Sequence, residues 1–223
     1  MDSYRSNELA DKLYFSLNIN QMGLSFHYSG RIAKPELLHE LIEEIQDISN
    51  MYHWKYTIYE SLFHENSVLK TDYNENIYGI SFSPTNCEPI FISFLSTGQM
   101  SSPTHLSFFG KTKVQQESQY LYMLSVKTQY AGFEIHQFII QLFRYLSKKY
   151  FTDFKLTDEG QYWETNDEAI LRANFKKYTD LITGFTSAIE SYPILAEESI
   201  ESYLERLLKQ IHDNKNKRGI NFS

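Results

Sequence analysis

With 223 residues, 42% of them hydrophobic, the chain can bury a substantial core as one large domain or two small ones, which excludes a disordered protein. A net charge of -7 argues against a general nucleic-acid binder, since phosphate neutralisation needs a concentrated excess of Lys and Arg, and leaves a basic protein as the partner such a charge would steer. No window reaches the ~18 uninterrupted apolar residues of a membrane span, the N-terminus lacks the basic-then-apolar order of a signal peptide, and the single cysteine, Cys87, forms no internal disulfide, so the expected location is the cytoplasm.

Residues 1–21 read as a polar N-terminal extension. A strand follows at 22–29, with Leu24, Phe26 and Tyr28 on one face, ending at Gly30. Pro35 suits a first helical position, and Leu37, Leu38, Leu41, Ile42, Ile45 and Ile48 recur behind it at helical spacing. Residues 53–62 alternate as a strand does, and 76–82 with 89–95 bracket the turn-rich Ser83-Pro84-Thr85-Asn86 as a hairpin. Ser, Gly and Pro between 96 and 110 suggest a loop, and 119–128 the next strand, broken by Ala131-Gly132.

A helix over 133–149 has a wide apolar arc and should lie deeply against the sheet. A short strand at 153–159 comes next. Thr165 and Glu168 then have the spacing of a capping box at the start of a further helix, and Pro193 separates that helix from a last one at 196–212. The expected fold is thus α+β: a single domain over 22–212, with a mixed sheet of about six strands, helices packed mainly on one face and two C-terminal helices. The tail, 213–223, is expected to fray.

Signatures for nucleotide phosphates, nucleophile elbows and zinc proteases are absent, and no cofactor is implied. Glu36, His39 and Glu43 share a helix face and include a Glu-x-x-His, but a di-metal site needs a second such helix and the sequence has none. The segment from Thr128 to Asp167 holds the best candidate site. If 119–128, 133–149 and 153–159 form a strand-helix-strand crossover, the strands run parallel and their C-terminal ends meet the helix N-terminus. Thr128, Gln129, His136, Asp158 and Glu159 then converge at one sheet edge, with Tyr162, Trp163 and Glu164 in the loop beyond. An α/β crossover often places its ligand there.

His136, Asp158 and Glu159 are the candidate catalytic residues, His136 as a base oriented by a carboxylate; Gln129, Tyr162, Trp163 and Glu164 are the candidate binding residues. The plainer reading is a buried histidine satisfied by one hydrogen bond, carboxylates that receive backbone N–H groups, and a Trp163 that seals the core.

At Thr128-Gln129-Tyr130-Ala131-Gly132, His136, and Asp158-Glu159-Gly160-Gln161-Tyr162-Trp163-Glu164-Thr165, together with Gly23-Leu24-Ser25-Phe26-His27-Tyr28-Ser29-Gly30, the chain resembles a group of uncharacterised bacterial proteins of similar length. The resemblance implies a bacterial origin and marks positions of interest, with no mechanism attached. Two functions are therefore expected. One is a protein-interaction module, such as an immunity protein or antitoxin covering a basic toxin, motivated by the acidic balance, 17 tyrosines and the missing catalytic motifs. The other is a small hydrolase or transferase using the His136 cluster, or a small-ligand regulator at the same edge.

Overall fold

In the computed structural model, the described residues are 23–217 apart from 65–67, 69 and 71. The expected extension at 1–21 and the last part of the tail lie outside them. The contacts group into two compact units: Leu24–Phe175, and one that holds the described residues from Lys176 onward. That division differs from the undivided 22–212 of the sequence reading.

Two three-stranded sheets, rather than one of six strands, organise the first unit. In the first sheet the central strand is β1, Ser25–Ile32, antiparallel to β5, Leu124–Lys127, on one side and to β6, Phe151–Asp158, on the other. β5 and β6 therefore run parallel, as the crossover requires, but β1 is inserted between them. The crossing helix is α4, Phe133–Tyr150, which buries His136, Ile139, Ile140, Leu142, Phe143, Leu146 and Tyr150. Phe26, Tyr28 and Phe143 meet at centroid distances of 4.8 to 5.7 Å, in the tilted and edge-on arrangements that the ring quadrupoles favour.

β1 runs on past Gly30 instead of ending there. Between Ser29 and Arg31 the register with β6 shifts, so that Asp153 and Phe154 oppose Gly30 in a bulge with Asp153 at φ 52°. The bulge has a packing reason. Phe151 and Phe154 are an odd number of positions apart and would face opposite sides of a regular strand, yet their rings meet at 5.4 Å. Gly30 is there for proximity: a Cβ on it would lie 3.1 Å from the Phe154 ring and 3.2 Å from its Cα. For the same reason β6 starts two residues earlier than the alternation suggests, directly at the end of α4.

The second sheet is the antiparallel meander of β2, Lys55–Ile58, β3, Ile77–Ser83, and β4, Ile90–Leu95, turned between β3 and β4 at Pro84-Thr85-Asn86-Cys87. A 3-10 turn at Pro35–Leu37 leads into α1, Leu38–Met51, which buries Leu38, Leu41, Ile42 and Ile45 and packs on β3. The two sheets are sewn together by residues 98–100. Ile32 N–H donates to the Gly98 carbonyl and Met100 N–H to that of Gly30, while Leu95 N–H donates to the Gln99 carbonyl. The Tyr28 hydroxyl donates to the Phe91 carbonyl at 2.8 Å and accepts from Phe91 N–H at 3.1 Å, occupying a place on the β4 edge that a neighbouring strand would otherwise fill.

The expected loop at 96–110 contains α2, Pro103–Phe109, capped by Ser102, whose hydroxyl accepts from His105 N–H. A short helix α3, Gln115–Ser118, precedes the expected strand 119–128, whose first half is a 3-10 turn at Gln119–Tyr122. After β6 come the one-turn helix α5, Tyr162–Thr165, and α6, Glu168–Ser191. Asp167, rather than Thr165, caps α6: its carboxylate accepts from Ala169 N–H at 2.8 Å, and Thr165 Oγ1 accepts from Asp167 N–H itself. α6 passes from the first unit into the second. The last helix, α7, is Ile200–Lys217, so it starts later than 196 and includes residues expected to fray. Arg206 braces the segment before α7, pairing with Glu198 and donating to the Pro193 carbonyl. No helix among the described residues is long and apolar enough to cross a membrane.

Candidate functional site

The C-terminal ends of β5 and β6 and the N-terminus of α4 do meet, and they gather the residues that the crossover geometry singles out. His136, on the first turn of α4, and Asp158, the last residue of β6, are both 0% exposed in their side chains, with Nε2 3.0 Å from Oδ1. The distance is that of an ion pair, but Nε2 makes no hydrogen bond of good geometry. Nδ1 lies 2.7 Å from Thr128 Oγ1, which also donates to the Leu24 carbonyl. Phe26 and Phe175 present their rings to the imidazole at 6.0 and 5.5 Å, which fixes its plane.

Asp158 is bound on every side. Oδ1 accepts from Gly160 N–H at 2.7 Å, and Oδ2 from Tyr162 N–H at 2.8 Å and Trp163 N–H at 3.0 Å. Burial alone raises its carboxyl pKa and is the largest single influence; contact with His136 and the backbone donors together outweigh it and hold the group below the usual carboxylate range. The Tyr162 and Trp163 N–H groups are the free donors at the start of α5, so Asp158 caps that turn from inside the protein. Gly160 makes the approach feasible. A Cβ there would stand 3.0 Å from both His136 Nε2 and Asp158 Oδ1, and 2.7 Å from Leu171 Cδ1.

The remaining candidates attach the start of β1. Gln129 Oε1 accepts from Leu24 N–H, and Thr128 N–H donates to the Leu24 carbonyl. Glu159 accepts from Ser25 N–H through Oε2 and returns its own N–H to the Ser25 carbonyl. Glu164 accepts from Asp158 N–H. Tyr162 is buried, its hydroxyl within 3.0 Å of the Gln137 and Gln141 amides, and Trp163 packs on Phe154 beneath the Arg144 guanidinium. Arg144 also donates to the carbonyls of Tyr162 and Trp163. The set is thus brought together around a closed centre: the His136–Asp158 pair has no exposed surface, while Glu159, with Oε1 3.9 Å from His27 Nε2, and Glu164 reach solvent at its rim.

Arg144, Gln137 and Gln141 escaped the sequence reading, and Gly160 entered it only within the string that carries the resemblance. The signal was there, because Gln137, Gln141 and Arg144 recur at i, i+4 and i+7 and form one polar stripe beside the apolar arc of α4.

Three other groups are quieter. His39 and Glu43 form an exposed pair at 3.4 Å, and no cluster of three His, Cys, Asp or Glu fit to hold a metal occurs among the described residues. The Cys87 thiol is pushed up to about 12, first by burial and then by the Glu88 charge, which leaves it protonated and unreactive. Ser102 Oγ lies 2.7 Å from His105 Nδ1, and burial lowers the pKa of the imidazole. Ser102, however, is fully buried and occupied in capping α2.

An open groove of about 1130 Å³ lies elsewhere in the same unit, between the end of β2, the start of β3 and α2. Ile58, Tyr59, Tyr73 and Leu106 supply its apolar walls, and Glu60, Asp72 and Glu75 its charge. Among the described residues the one cation lining it is Lys111, which is paired with Glu75 at 2.7 Å. Beside the groove, α2 carries Phe108, which is 72% exposed, and the rings of Phe108, Phe109 and Tyr120 follow one another at 6.4 and 5.6 Å. No known protein family, curated protein or solved structure matches this chain.

Proposed function

We propose that the protein is a non-enzymatic interaction module that uses the acidic groove to hold a basic protein, in the manner of an immunity protein or antitoxin. The observation that carries this reading is the composition of the groove: three carboxylates with one neutralised cation, set among tyrosines and adjoining an exposed phenylalanine. Aromatic anchors beside complementary charge are what protein interfaces are built from. The net charge of -7 supports it by steering a basic partner toward the surface. The burial of His136 and Asp158 favours it over a hydrolase or transferase reading, since a general base must come within hydrogen-bond reach of its substrate.

The test is capture from the source cell with the wild-type chain and with a Glu60→Lys, Asp72→Lys, Glu75→Lys variant. The expected result is a stoichiometric basic partner retained by the wild type, released as ionic strength rises, lost by the variant, and toxic when expressed without this chain. Retention of the same partner by the charge-reversed variant, or the absence of any stoichiometric partner, overturns the proposal.

A further inference from the structure

The bulge in β6 has a counterpart on the surface. Where β1 parts from β6 at Ser29–Arg31, a hollow of about 380 Å³ is lined by Ser29, Arg31, Gln99, Tyr122, Asp153 and Lys155 around Gly30. Its volume falls at the lower end of small-molecule sites, which run from ~300 to ~1,000 Å³. Arg31 is anchored by donating one N–H to the Thr97 carbonyl at 2.7 Å, and among the described residues its other donors make no further hydrogen bond or ion pair. Among the described residues, Asp153, Lys155, the Gln99 amide and the Ser29 and Tyr122 hydroxyls have no side-chain hydrogen-bond or ion-pair partner. Asp153 and Lys155 lie two positions apart and line one hollow, yet they do not pair with each other.

The lining therefore carries two cations and one anion, held apart. A plain dianion would meet Arg31 and Lys155 but also the Asp153 carboxylate, and a plain cation would meet the reverse. The complementary charge set is two negative charges, on two carboxylates or on one phosphate, and one positive. A rigid guanidinium is well suited to one carboxylate or phosphate, an ammonium on a flexible stem to a second, and a carboxylate to an amine. Bulges commonly lie beside binding sites because the extra residue re-aims side chains, and here Asp153 is the residue in the left-handed conformation. We infer that the hollow between β1 and β6 binds a small amino-bearing dianion, with Arg31 and Lys155 on its anionic groups and Asp153 on its ammonium. Two sources share that chemistry: an acidic amino acid and a phosphorylated amino alcohol.

The experiment is titration calorimetry of the full chain at low ionic strength with L-glutamate, O-phosphoethanolamine and glutarate, the last having the two carboxylates of glutamate without its amine. Saturable one-site binding of L-glutamate or O-phosphoethanolamine, about tenfold tighter than glutarate, is expected, and the tighter of the two names the source. Asp153→Asn keeps a residue tolerant of positive φ and removes the charge, so it should abolish the preference over glutarate. Lys155→Met should weaken the amino-bearing ligand about tenfold. The inference is overturned if neither amino-bearing probe saturates below about 10 mM, if glutarate binds as tightly as glutamate to the wild-type chain, or if Lys155→Met binds unchanged. The glutarate comparison uses the unaltered protein and stands even if a variant fails to fold.

Discussion

The edge around Asp158 and the groove around Glu60 are both polar, and they differ in where their polar atoms point. At the edge each carboxylate has backbone N–H groups or an imidazole within 3.2 Å, all supplied by the protein. In the groove, among the described residues, only Glu75 has a cation, and Glu60 and Asp72 are exposed. A group whose partners are internal serves the fold; a group whose partners are absent from the chain is available for another molecule. Perturbed charge in a cluster is thus a weak guide to function until its neighbours are counted.

The comparison breaks if the edge proves dispensable. Asp158→Ala takes the carboxylate away from His136 Nε2 and from the N–H groups of Gly160, Tyr162 and Trp163, and should cost about 3–5 kcal/mol in urea unfolding. A loss smaller than a surface substitution causes would show that the closed centre does not hold the structure. The pH dependence has a definite sign. Because the folded-state pKa of Asp158 is depressed, its contribution is fully present above the unfolded carboxylate value of about 4 and is lost as pH falls through the folded value. The stability difference between wild type and Asp158→Asn should shrink on acidification below about pH 4 and stay constant above it.

Gly160→Ala is the second test. The added methyl meets Leu171 and the His136–Asp158 pair at 2.7 to 3.0 Å, and about 1–3 kcal/mol should be lost. An unmoved unfolding midpoint would mean that the close approach of the Gly160 backbone is unimportant. The smallest effect belongs to the groove. Glu60→Lys with Asp72→Lys should leave the midpoint where it is while abolishing partner capture, and a large destabilisation would place these carboxylates with the fold after all.

Much of this was legible because periodicity reports which side of an element is covered. α1 and α4 follow their apolar spacing, and the convergence at the edge follows from crossover geometry alone. What periodicity does not report is the neighbour. Gln119–Tyr122 alternates like a strand, yet the Leu121 carbonyl is taken by the Ser101 hydroxyl and Met123 N–H turns back to Tyr120, so the chain curls before β5. Residues 96–110 look loop-like in composition, while Ser102-Pro103 is a cap followed by a first-turn proline, a helix start written in two residues. The division into two sheets depends on residues 98–100 bonding both ways, which no local pattern encodes. The groove was missed because its walls come from three separate segments, none with a pattern of its own.

The placement of β1 between β5 and β6 also governs timing. Leu24 and Ser25 bond to Gln129 and Glu159, positions 105 and 134 residues further along. During synthesis β1 emerges early and waits, one edge unpaired until β5 has been made and the other until β6 and the turn after it. Contacts of such range close slowly, and an unsatisfied strand invites pairing with other chains. A ribosome-bound fragment ending before residue 150 should therefore leave β1 exposed and prone to association, and the last stretch to leave the ribosome before the first sheet can close is the one that carries Asp158.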